Sequence, residues 1–183
     1  IHGLWMKPWL RDVTGLSADN AAQLLFAMTL TFIGGFLTLG IIAERLSQLF
    51  DVHLMSISVF GMTIFLFIQG TMIYGGIGSP LILVILLGFF GTASVLVYAG
   101  YAKIFPKNLS GRVSTFLNLL VFIGAFILQW GIGAIIELWP PTDNGYDPES
   151  YQSAFGFLVI LQAAGLMWYL FSKKIYRKQN ILI

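Results

Sequence analysis

The sequence predicts an all-helical integral membrane protein, with five complete spans behind a truncated first helix. Three observations predict it. Apolar residues make up 57% of the 183 positions and charged ones only 10%, against about 25% charged in soluble domains. The charges leave long gaps, since residues 20–43, 113–136 and 150–172 carry none and 52–102 holds only the usually neutral His53. Those runs are unbroken rather than alternating, which is the pattern of helices and not of a β-barrel. Disorder is excluded as well, because it needs low hydrophobicity and high charge.

Residues 1–13 come first. Ile1 to Val13 is too short and too charged to cross a bilayer, and nothing near the start reads as a signal peptide with a basic n-region. The segment reads as the end of a helix whose beginning lies upstream, in a chain cut from a longer polypeptide. An interfacial segment anchored by Trp5 and Trp9 is the other reading. Pro8 is expected to break or kink any helix there.

A crossing needs roughly 20 apolar residues, so the first, third and fourth charge-free runs each fit one helix. The long run contains Gly75-Gly76-Ile77-Gly78-Ser79-Pro80 near its middle, and clustered glycine and proline mark a turn. The expected spans are therefore 21–43, 53–74, 80–103, 113–138 and 151–172. Eight of the ten basic residues (Arg45, Lys103, Lys107, Arg112, Lys173, Lys174, Arg177 and Lys178) fall on one set of connections. Basic residues favour the cytoplasmic side, so that end and the C-terminus are expected there. The polar loop 139–148 then lies outside. The tail 173–178 reads as an anchor on anionic lipid.

Several functions are disfavoured by what is absent. There is no cysteine, and His2 and His53 are the only histidines, so neither a thiol nucleophile nor a metal site is expected. A net charge of +2 is no nucleic-acid footprint. No carboxylate lies at mid-depth in a complete span, where a proton relay would want one. No enzyme chemistry and no cofactor are expected.

Polar side chains inside the spans are the candidates for function. Ser114, Asn118, Phe122, Ala125 and Gln129 follow helical steps along one face. Their amides either bind a solute or bond between helices. Ser94, Tyr98 and Tyr101 share a face of the preceding span, where the hydroxyls either meet a ligand or satisfy backbone carbonyls. Gly88 and Gly91 permit close packing, and Thr31 and Thr38 read as structural. Gln69 and Gln162 read as interhelical glue or interface positions. Lys7 and Arg11 sit four residues apart, either drawing an anion or snorkelling to headgroups.

Three stretches carry a family resemblance. Gly40-Ile41-Ile42-Ala43-Glu44-Arg45-Leu46-Ser47 is similar to the G-x-L-A-D-R-x-G loop signature of the major facilitator superfamily, with Glu44 for the usual Asp and Ser47 for the second Gly. Phe105 to Val113 resembles the loop between that family's helices ten and eleven. Gly3 to Ser17 resembles the outer end of helix seven and the loop after it. The whole chain thus resembles the C-terminal half, helices seven to twelve, of such a transporter, as one domain over 1–183.

The resemblance implies alternating access, in which two six-helix halves rock around a central site. The partners would be the lipid bilayer, an N-terminal six-helix half and a small polar or anionic solute, with a coupling proton or ion, in a bacterial-type inner membrane. The first, second, fourth and fifth helices would line the cavity. Trp5, Lys7, Arg11, Ser94, Tyr98, Asn118 and Gln129 are then substrate-binding candidates. Gly40, Glu44, Arg45 and Arg112 are candidates for a conformational latch, with a solvated loop pair as the alternative. The rival function is a non-transporting membrane sensor or assembly subunit on the same fold.

Overall fold

A computed structural model describes residues 3–74, 78–98, 105–142 and 145–178, with the side chains of Lys107 and of 173–178 set aside. Tyr101, Lys103, Asp143, the 75–77 glycine turn and the tail's cations lie outside what it describes. Among the described residues the named α-helices are six: α1 (Met6–Asp12), α2 (Ala18–Phe50), α3 (Leu54–Thr71), α4 (Pro80–Gly91), α5 (Lys107–Ile136) and α6 (Pro148–Lys178). Among these residues, five stretches are long and apolar enough to cross a membrane: Ala18–Phe50, Leu54–Tyr74, Pro80–Tyr98, Asn108–Ile136 and Pro148–Ser172.

Local chemistry sets the helix ends. The Ser17 hydroxyl accepts from the Asn20 amide at 3.3 Å and opens α2, which gives one orphan N–H a partner. Pro80 and Pro148 stand at helix starts, where a missing N–H costs nothing. The Asp147 carboxylate caps α6 by accepting from the Glu149 amide at 2.8 Å.

Three boundaries differ from expectation. Pro8 falls in the first turn of α1 and leaves it unbroken, because that turn's amides have no intrahelical acceptor to lose. Helix α2 runs on past residue 43, where the span was expected to end, through Glu44–Ser47. An isolated glycine is tolerated in a helix, and the stop comes only at Asp51, in the left-handed conformation at φ 51°, which Asp adopts more readily than most residues. Helix α5 starts at Lys107, directly after Pro106, so Arg112 also sits on a helix.

Helix α4 is the enclosed element, packed chiefly on α2 and next on α3. Its surface is kept thin where it meets α2: a Cβ on Gly88 would strike the Thr31 hydroxyl and come within 2.8 Å of the Met28 carbonyl. Small residues of this kind let membrane helices approach closely. After Gly91 the helix tightens into a 3-10 turn over Thr92–Val95. There the buried Ser58 hydroxyl of α3 donates to the Ala93 carbonyl at 2.7 Å.

The apolar core gathers at one end of the bundle. It comprises Met6, Trp9 and Leu10 of α1, Met72 after α3, Leu83, Val84 and Leu87 of α4, Ile132 and Ile136 of α5, and Tyr151, Ala154, Phe155 and Leu158 of α6, together with Ala21 and Met28 of α2. This is the end away from the basic connections. Towards the basic end α5 stands free, with Phe116 60% and Phe122 72% exposed.

Candidate functional site

The expected site residues form two separate groups. The first joins α4 to α5. Tyr98 follows the 3-10 turn and Asn118 lies near the middle of the 108–136 span. The Tyr98 hydroxyl donates to Asn118 Oδ1 at 3.1 Å. Asn118 is exposed, Tyr98 and Ser114 are half-buried, and Phe122 one turn on is exposed. An amide on an open helix face near mid-span is costly against lipid. Ser94 does not join this pair, because its hydroxyl donates to the Gly91 carbonyl at 3.2 Å.

The second group closes the opposite end. The Trp5 indole N–H donates to the backbone carbonyl of Gln129 at 3.1 Å. Its ring lies against Gly133, where a Cβ would sit 3.0 Å from Trp5 Cζ2. Trp5 and Gln129 therefore meet, but through Gln129's backbone. The 11 residues between Asn118 and Gln129 are a rise of about 16 Å at the helical repeat. The two groups do not converge on one small ligand within this chain.

Lys7 and Arg11 are exposed on α1, opposite its buried Met6, Trp9 and Leu10. Neither has an ion-pair partner among the described residues. The adjacent carboxylate is engaged elsewhere: Asp12 Oδ2 accepts from the Tyr146 amide at 3.1 Å and from the Tyr151 hydroxyl at 2.7 Å. Gly145, at φ +145°, lies so close that a Cβ there would sit 2.5 Å from Asp12 Oδ1. The rings of Trp5, Tyr146, Tyr151 and Phe155 continue the cluster, with successive centroids 6.0, 6.3 and 5.9 Å apart. Asp12, Tyr146 and Tyr151 were not among the expected site residues. Their contacts bridge more than 130 positions of chain, and no local pattern announces them.

Gly40, Glu44 and Arg45 are exposed on α2 and Arg112 is exposed on α5. Glu44 and Arg112 form no ion pair among the described residues. Gln69, expected as glue or an interface position, is 1% exposed with neither amide atom hydrogen-bonded among the described residues. Gln162 of α6 is exposed. Thr31 and Thr38 bond the Met28 and Gly34 carbonyls at 2.8 and 2.7 Å, a structural use of both. Protein-family models, curated proteins and solved structures were all compared with this chain, and none of them matches it.

Proposed function

We propose that this chain is the C-terminal six-helix half of a major-facilitator-type secondary transporter, moving a small polar or anionic solute by alternating access. The observation that carries the reading is the Tyr98–Asn118 pair. It sets two hydrogen-bonding side chains on an open face near mid-span, a position that favours a wet cavity or a facing half over hydrocarbon. Two further features support it. The helices pack tightly at the Asp12 end while α5 stands away towards the basic end, as an arrangement open on one side requires. Lys7 and Arg11 are exposed, without an ion-pair partner among the described residues, where an anion would arrive.

Counterflow tests this. The native polypeptide is placed in vesicles preloaded with unlabelled carboxylates or organophosphates, and entry of the labelled compound is followed. Solute-dependent accumulation is expected. Tyr98→Phe should slow it about fivefold, the worth of one hydrogen bond of about 1 kcal/mol. Solute binding with no countertransport would instead favour the sensor or assembly reading.

A further inference from the structure

At the basic end of α5, Phe105, Val113, Phe116 and Leu117 wall a groove of about 430 Å³, and Arg112 sits on its lining. That is within the usual volume range of ligand clefts. Positions 113, 116 and 117 follow one helical face away from Arg112, so the apolar strip runs from a charged rim into the span. Phe105 flanks it from before the helix and is 38% exposed. Arg112 has no ion-pair partner among the described residues, Glu44 included. It is the sixth residue of α5, whose N-cap is Pro106 with no side-chain cap.

A guanidinium offers a rigid fork of donors matched to phosphate oxygens. Basic groups at the surface of a membrane protein attract anionic headgroups. A cation at the rim with an apolar wall leading inward is complementary to an amphiphile and not to a free ion. We propose that this groove seats one anionic phospholipid. Its phosphate lies on Arg112 and one acyl chain lies along Val113, Phe116 and Leu117, with Phe105 across from them. This site goes beyond the transport reading and does not depend on it.

The test counts lipids retained by the native polypeptide in native mass spectrometry, after delipidation and addition of phosphatidylglycerol or phosphatidylcholine with matched chains. Phosphatidylglycerol should be retained several-fold over phosphatidylcholine. Arg112→Gln should reduce its retention about tenfold, and Arg112→Lys by less. Phe116→Ser should weaken long-chain phosphatidylglycerol while leaving its dihexanoyl analogue unchanged. Circular dichroism checks that each variant remains helical. Equal retention of the two lipids, or retention untouched by both Arg112 variants, overturns the proposal. Thermal protection by inorganic phosphate equal to that by phosphatidylglycerol also overturns it, in favour of a simple phosphate site.

Discussion

The Tyr151 hydroxyl donates to the Asp12 carboxylate at 2.7 Å, across 139 positions of sequence. The same oxygen accepts the Tyr146 amide. One carboxylate thus holds the end of α1, the loop before α6 and the first turn of α6 together. Hydrogen bonds to charged groups contribute about 1.5–3 kcal/mol each. Asp12→Ala is expected to destabilise the chain by at least that much, and Tyr151→Phe by less, because the Tyr146 contact survives. The double variant should be no worse than Asp12→Ala alone. Unfolding in mild detergent followed by tryptophan fluorescence measures all three.

Gly88 and Gly34 make a matched pair on the packed and open sides of the α2–α4 contact. A Cβ at Gly88 strikes the Thr31 side chain and the Met28 backbone, whereas at Gly34 it meets nothing within 4 Å. Gly88→Ala is expected to cost about 1–3 kcal/mol through overpacking. Gly34→Ala should be neutral or stabilise by up to about 1 kcal/mol, the helix preference for alanine. The order of their melting temperatures checks this.

Ser58 supplies the buried donor to the 3-10 turn of α4. Ser58→Ala leaves the Ala93 carbonyl without that donor in an apolar setting, at an expected cost of about 1–3 kcal/mol. Cysteine is absent from the chain, so a single cysteine at Leu96, buried just beyond the turn, reports local opening. Its labelling by a membrane-permeant maleimide should speed up in the Ser58→Ala background.

Gln69 predicts the opposite sign. Both its amide atoms are buried without a hydrogen-bond partner, and such a group carries its desolvation cost uncompensated. Gln69→Leu, close in volume, is expected to raise stability by about 1–3 kcal/mol. A fall in melting temperature would mean that the amide has a bound partner such as water.

The sequence by itself determined the class of protein and the spans. Charge-free runs of about 20 residues permit little else, because a bilayer leaves only the helix to satisfy backbone groups within one segment. It also marked Asn118 and Tyr98, since a polar side chain inside such a run stands out, and the close-packing role of Gly88. Helix ends were less legible. Glu44 and Arg45 lay beyond the expected span and proved helical, because helix continuation depends on whether anything stops the backbone, and nothing does before Asp51. Only the tertiary structure decided which polar groups meet. Asp12 finds Tyr151, Trp5 finds the Gln129 backbone and Gln69 finds no partner. Helical periodicity orders residues a few turns apart on one helix. It carries no information on how two helices more than a hundred residues apart are rotated and offset against each other, and that packing sets every one of these contacts.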